Sequence, residues 1–288
     1  MYSAEINRNQ RACLLLLIDQ SYSMSEPWAG TGKSKADQLA LSVNNILGNA
    51  VLLCSKGDDR IFDYFEVGVI GYGSDVSPVL HGSDHGNPLL PIGEVARNPK
   101  RTDQLMQKIP DGVGGFFETT TVNPVWVDPL YNGQTPMVAA FRTAAEITDS
   151  WCLRNPRSFP PIVINITDGV SSDGDPTEVA QQIRETGTED GNVLLFNLHL
   201  SGMPNPSVVL PNDTAGLPDV YAKTLFNISS ELPPTMLEAT AVAGYEVKAG
   251  ARGFVYNAEA HMVVEFLDIG TRAVTPTGLK ELTDGRES

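Results

Sequence analysis

Ala12-Cys-Leu-Leu-Leu-Leu-Ile18 leads without a break into Asp19-Gln-Ser21-Tyr-Ser23-Met24. An unbroken apolar run of this length, with no polar alternation, suits a central strand of a parallel sheet covered on both faces. Far downstream, Ile162-Val-Ile-Asn-Ile166 repeats the pattern and closes on Thr167-Asp168-Gly169. Two buried strands that each end in an aspartate set the frame for the rest of the chain.

Working outward, Ala36 to Cys54 places Leu39, Val43, Ile46, Leu47 and Ala50 at helical spacing, which gives one face to cover a sheet. Phe62 to Tyr72 reads as a second strand. Asp75 to Leu80 reads as a short edge strand, because Pro78 cannot donate to a ladder. The stretch from about 81 to 130 is rich in Gly, Pro and Asn, and reads as an irregular insertion with one helix near Thr102 to Ile109. Alternation then resumes, with helices over Pro136–Cys152 and Pro176–Thr186 and a strand over Val193–Leu200. Short helices follow near Asp219–Phe226 and Pro234–Ala243, then a strand over Arg252–Tyr256 and a last helix over Ala258–Leu267.

Strands alternating with helices predict an α/β fold: a doubly wound, mostly parallel sheet, helices on both faces, one antiparallel edge strand. A single domain over residues 1–270 is expected, with a loose tail over 271–288. Ligands of such sheets sit beyond the carboxyl ends of the strands. Asp19 and Asp168 both stand there.

Composition narrows the partners. The 288 residues include 20 Lys and Arg against 35 Asp and Glu, a formal charge of -15. Neither duplex DNA nor an anionic membrane surface attracts such a chain, because both demand clustered positive charge. Cys13, Cys54 and Cys152 are far apart, odd in number and set among apolar residues, with no zinc-type spacing. Buried reduced thiols, and so a reducing compartment, are expected. The run ending at Ile18 is too short to span a bilayer and has no signal-peptide cleavage site after it, so a cytoplasmic location is expected.

Three oxygen side chains at alternate positions, Asp19, Ser21 and Ser23, can turn toward one point from a loop. Gly133-Gln-Thr135-Pro136 opens a helix, and Asp168 closes a strand. Together they offer two carboxylates and three hydroxyls, with no thiolate or imidazole. Hard oxygen donors of low total charge suit Mg²⁺, and Mn²⁺ fits the same set.

The order Asp19-x-Ser21-x-Ser23, then Thr135 before proline, then Asp168-Gly169, resembles the metal-ion-dependent adhesion site of von Willebrand factor A (vWA) domains. All five positions match in the family's order, and the likeness extends to Gly250-Ala-Arg-Gly-Phe-Val-Tyr-Asn257. The resemblance implies recognition through an open metal position. Ser21, Ser23 and Thr135 would coordinate through hydroxyls, Asp19 and Asp168 directly or through water, and a partner's Asp or Glu would complete the shell. The stand-alone bacterial members it is most similar to include ones associated with tellurium resistance. It implies an adaptor in stress response or defence, beside a MoxR-type AAA+ ATPase, a PP2C-like phosphatase or a protein kinase.

Weaker signals surround this pattern. Gly30-Thr-Gly32-Lys33-Ser34 lacks the first glycine of a phosphate loop, since Pro27 occupies that place, and reads as a rim loop. His81 and His85 read as solvated side chains of a turn. Asp173 either adds acid beside the metal or belongs, with Asp175, to a turn that caps the helix at Pro176. Tyr22, Trp28, Gln134 and Asp173 form the expected partner-binding rim, although Met24 and Trp28 can equally pack inward. No G-x-S-x-G or H-E-x-x-H motif is present, so the chain is expected not to be an enzyme. A metal-dependent hydrolase of phosphorylated or nucleotide substrates is the alternative, and a surface adhesin is a third reading.

Overall fold

A computed structural model describes residues 2–28, 32–55, 60–110, 116–200, 206–258 and 262. The chain begins with β1 (Ala12–Asp19), a 3-10 turn (Tyr22–Ser25), α1 (Lys35–Cys54) and β2 (Phe65–Tyr72). Next come β3 (Val76–Pro78), β4 (Leu90–Pro91), α2 (Ile92–Arg97), β5 (Arg101–Pro110) and β6 (Phe116–Val125). The second half holds α3 (Met137–Arg154), β7 (Ile162–Thr167), α4 (Thr177–Glu185), β8 (Gly187–Thr188), β9 (Gly191–Asn192) and β10 (Leu194–Leu200). It ends with β11 (Val208–Val209), α5 (Val220–Ile228), α6 (Pro234–Val242) and β12 (Phe254–Ala258).

The main sheet runs β11-β12-β10-β7-β1-β2-β3, with β4 also on β2. Strands β12, β10, β7, β1 and β2 are mutually parallel. β3 is the antiparallel edge strand that Pro78 predicts, and β4 and β11 add two more short antiparallel pairings.

The unbroken apolar run of β1 has a direct physical reason. Leu14, Leu16 and Ile18 face a core shared with Leu39, Val43 and Leu47 of α1. Cys13, Leu15 and Leu17 face the other core, with Phe141, Ala144 and Trp151 of α3 and Ile183 of α4. A strand covered on both sides has no solvent face on which to place polar residues. Each of Leu15, Leu16 and Leu17 is completely buried, a contribution of about 2 kcal/mol apiece. Helix α1 starts cleanly because Ser34 and Asp37 form a capping box. The Ser34 of the phosphate-loop-like segment is thus a helix cap.

Two expectations fail in the insertion. Residues Thr102 to Ile109 are not helical; they lie in β5, which pairs antiparallel with β6 from Arg101↔Val125 to Pro110↔Phe116. The partner strand, rich in Thr, Val and Phe, captures a segment whose own spacing is ambiguous, so pairing overrides local pattern. Nor is the insertion irregular, since it also holds β4 and α2. Asn44 of α1 anchors its end, taking the N–H groups of Trp126 and Val127 and donating to the Val127 carbonyl.

β12 begins at Phe254, two residues later than the sequence suggests. The helix expected after Ala258 and the tail from 271 lie outside the described residues, apart from 262. Among the described residues, no helix is long and apolar enough to cross a membrane.

Candidate metal centre

Parallel pairing of β1 with β7 sets Ile18 beside Ile166, so the carboxyl ends of these strands emerge together. Asp19 is the last residue of β1, and Asp168 follows the last residue of β7. Thr167 donates its hydroxyl to Asp19 Oδ2 at 2.6 Å, and the Ser21 N–H donates to Oδ1 at 2.8 Å. Both oxygens of this carboxylate, which is only 1% exposed, are therefore held in place. Burial pushes the Asp19 carboxyl up to about 6, against the lowering effect of those hydrogen bonds.

The 3-10 turn after β1 brings the Ser21 and Ser23 hydroxyls to 3.0 Å from each other, and Ser23 Oγ donates to Asp168 Oδ1 at 2.7 Å. Thr135 enters from the loop before α3. Its N–H donates to Ser172 Oγ at 3.1 Å, and the Ser172 N–H returns a bond to the Thr135 carbonyl at 2.9 Å. The Tyr22 N–H donates to the Gly133 carbonyl at 3.0 Å, joining this loop to the first. Gly133 has φ +77, and a Cβ there would lie 2.4 Å from the Ser74 nitrogen. Only glycine meets both conditions. Thr135 Oγ1 and Ser23 Oγ lie 3.7 and 4.0 Å from where a side chain on Gly169 would begin, so both hydroxyls border this glycine.

The structure thus gathers Asp19, Ser21, Ser23, Thr135 and Asp168 at one end of the sheet. The donor set fits a small divalent cation. Ligands about 2.0–2.1 Å from an octahedral Mg²⁺ stand about 2.9 Å apart along each edge. The Ser21–Ser23 and Ser23–Asp168 oxygen separations, 3.0 and 2.7 Å, lie close to that edge. Among the described residues, no three His, Cys, Asp or Glu side chains form a metal-holding group. A cation here would rest on hydroxyls beside two carboxylates.

One functional residue escaped the sequence reading. Lys35, the first residue of α1, places Nζ 2.7 Å from Asp168 Oδ2 and 2.9 Å from Glu26 Oε2. Burial alone would lower its pKa, but the bonds to Asp168 and Glu26 outweigh it and the net shift is upward. The ammonium is therefore charged at neutral pH. A signal did exist: a cation in the first turn of a helix opposes the macrodipole, so an acid is needed to face it.

Of the expected rim, Tyr22 is 67% exposed and Gln134 is exposed. Trp28 is not part of it. Its indole is 3% exposed and donates to the Ala258 carbonyl at 3.2 Å, because a ring of that area gains more by burial than at an edge. Met24 packs inward as well. The Asp173 carboxylate caps α3, accepting from the Val138 and Ala139 N–H groups at 3.0 and 2.9 Å. Asp175 accepts from the N–H and hydroxyl of Thr177, as the cap reading expects, and these bonds lower its pKa. His81 and His85 are exposed. A cleft of about 270 Å³, lined by Met137, Gly169, Val170, Pro176, Val220 and Tyr221 among others, adjoins the site.

A scan against protein-family models and a search of curated proteins each return no match. Among solved structures the chain is similar to proximal thread matrix protein 1 of the mussel byssus, at 14% identity and a TM-score of 0.47. That likeness covers 93% of this chain and 49% of the mussel protein, whose structure is also known with a zinc-occupied MIDAS motif. It is also similar to the pilus adhesin SpaC of Lactobacillus rhamnosus GG, at 13% identity, TM-score 0.46, covering 93% of this chain and 31% of that one. The minor pilin PilB of Streptococcus sanguinis gives 10% identity, TM-score 0.47 and coverages of 93% and 62%. The chain spans about half the length of the mussel protein. These likenesses are remote, and the α/β architecture rests on the strand order and register of this chain itself.

Proposed function

We propose that the chain is a metal-ion-dependent protein-binding module of the vWA kind, an adaptor that engages an acidic residue of a partner protein. The observation that carries this reading is the convergence of Asp19, Ser21, Ser23, Thr135 and Asp168 at one end of the sheet, with the Ser21–Ser23 and Ser23–Asp168 oxygens at spacings suited to one octahedral cation. Mg²⁺ is the proposed ion, with Mn²⁺ as its substitute. A bound divalent cation would supply an electrophilic position for a partner's carboxylate.

The chain's own residues would do the rest. Ser21, Ser23 and Thr135 contribute neutral oxygens, so the centre's negative charge comes only from Asp19 and Asp168. Thr167 and the Ser21 N–H orient Asp19, and Ser172 positions Thr135. Tyr22 and Gln134 stand exposed beside the centre to meet the partner, and the adjoining cleft accepts an apolar side chain. Cys13, Cys54 and Cys152 are buried free thiols, which supports a reducing, cytoplasmic setting. The partner classes proposed are a MoxR-type ATPase, a PP2C-like phosphatase or a protein kinase in a bacterial stress-response system.

The test is affinity capture from lysate of the source cell, with wild type and Asp19→Ala, each in Mg²⁺ and in chelator. A partner retained only by wild type in Mg²⁺, and lost when its own acidic residue is neutralised, is the expected result. A partner that ignores chelator and substitution alike would remove the metal from recognition. Turnover of a generic phosphoester that Asp19→Ala abolishes would replace the module with a hydrolase.

A further inference from the structure

Lys35 occupies a place that a stable fold does not require of a lysine. Its side chain is 5% exposed, and it opens α1, where the aligned backbone dipoles already present positive potential. A buried ammonium persists only when paired, and an apolar residue of similar size is often as good or better for stability. Here the pairing is unequal. The Asp168 side chain is fully buried, whereas that of Glu26, the second partner, is 64% exposed. One ammonium thus joins a proposed metal ligand to a residue in solvent.

The charges have a consequence. Asp19 and Asp168 bring two negative charges to the centre and the hydroxyls bring none. Lys35 returns one positive charge within hydrogen-bond distance of Asp168. A divalent cation added to Asp19, Asp168 and Lys35 leaves a surplus positive charge, which the solvent-screened Glu26 offsets only in part, whereas without Lys35 the two aspartates would neutralise the cation.

We propose that Lys35 is a built-in counter-ion of the metal centre. It weakens cation binding by holding Asp168, and it leaves the loaded centre electrostatically incomplete until an anionic group of the partner arrives. This rests on the metal-binding reading above and adds its regulation. Cation and carboxylate then bind cooperatively, each tightening the other by the same factor, as linkage requires. Glu26 is the alternative berth, which draws the ammonium off Asp168 when the cation enters. The centre therefore discriminates between a free cation and a cation accompanied by an acid.

The test is a calorimetric titration of the full chain with Mn²⁺, with and without acetate at constant ionic strength. Wild type, Lys35→Met, Glu26→Gln and Asp19→Ala are compared. Wild type should bind Mn²⁺ more tightly in acetate. Lys35→Met should bind it about tenfold tighter than wild type and lose most of the acetate effect, since a nearby positive charge is gone. Glu26→Gln should move the other way, about threefold weaker, because Lys35 then has Asp168 alone. Mn²⁺ affinity that depends on Asp19 but is unchanged or lower in Lys35→Met overturns this inference and leaves the metal site standing. Should Lys35→Met fail to fold by circular dichroism, Glu26→Gln decides, and equal or tighter binding in that variant overturns the inference. Mn²⁺ binding that Asp19→Ala leaves intact, or none in any variant, overturns both readings.

Discussion

Thr167 and Asp19, on adjacent parallel strands, share a hydrogen bond of 2.6 Å that fixes a carboxylate at the edge of the core. Even with this bond, burial keeps the Asp19 carboxyl raised to about 6 from its usual 3.8. A folded-state value above the unfolded one favours the protonated form in the fold. The stability it contributes is full below about 3.8 and is lost as pH rises through about 6. In chelator at pH 8, Asp19→Asn should therefore exceed wild type in stability by about 1–3 kcal/mol, with the gap closing toward pH 4. Urea denaturation at both pH values checks this, and a variant no more stable than wild type at pH 8 would refute it.

Much of this site was legible because its parts lie at ends of elements with strong patterns. β1 and β7 are unbroken apolar runs, and each points at its aspartate. Thr135 announces itself before a proline that opens a helix. The first-turn position of Lys35 signals only that some acid must face it, and local sequence does not say which, because Asp168 is 133 residues away. β5 was misread because Leu105, Met106 and Ile109 also match helical spacing, and only the distant β6 decides between the two. Trp28 was ambiguous because a residue next to a surface loop can turn either way. In each miss a contact distant in sequence overrides a local preference.

Asp173 separates a structural role from a recognition role. The N-cap of α3 is Pro136, which offers no side-chain acceptor, and Asp173 supplies one from a separate loop. Asp173→Ala should cost about 1–2 kcal/mol, a typical loss for a helix cap near the positive end of the macrodipole. Mn²⁺ affinity should change little, because Asp173 touches backbone and Ser171 rather than the five-residue cluster. Unchanged stability with lost partner capture would instead return Asp173 to the rim.

Beneath the site, a chain of buried polar groups crosses the sheet. Tyr72 Oη donates to Asn165 Oδ1 at 2.6 Å, Asn165 Nδ2 to Asn197 Oδ1 at 3.0 Å, and Asn197 Nδ2 to Ser229 Oγ at 3.0 Å. All four side chains are completely buried, so each depends on its neighbour. Asn165→Leu leaves the Tyr72 hydroxyl with only a long 3.5 Å contact to the Ile166 carbonyl and takes the donor from Asn197 Oδ1, and should cost about 2–4 kcal/mol in denaturant unfolding. Adding Tyr72→Phe to that variant should recover part of the loss. If the two substitutions simply add, the chain is not coupled.

His199 opposes Asp19 in the same pH window. It stands level with Thr167 in the pairing of β10 with β7, its ring stacked on Tyr256 at 4.8 Å. Among the described residues its buried Nδ1 has no hydrogen-bond partner, and burial pushes the imidazole down to about 4 from 6.5. A folded-state value below the unfolded one means that the stability it contributes is present above 6.5 and lost as pH falls through about 4. Asp19 gains over much of that interval, so wild type in chelator should change little from these two groups between pH 6.5 and 4. His199→Phe keeps a ring against Tyr256 but has nothing to protonate. Its stability relative to wild type should rise by about 2–3 kcal/mol between pH 7 and pH 4. Urea titrations at pH 7, 5.5 and 4 measure the gap. A gap that stays constant across the series would mean that His199 is protonated in the folded chain as readily as in the unfolded one, and the burial argument would fail with it.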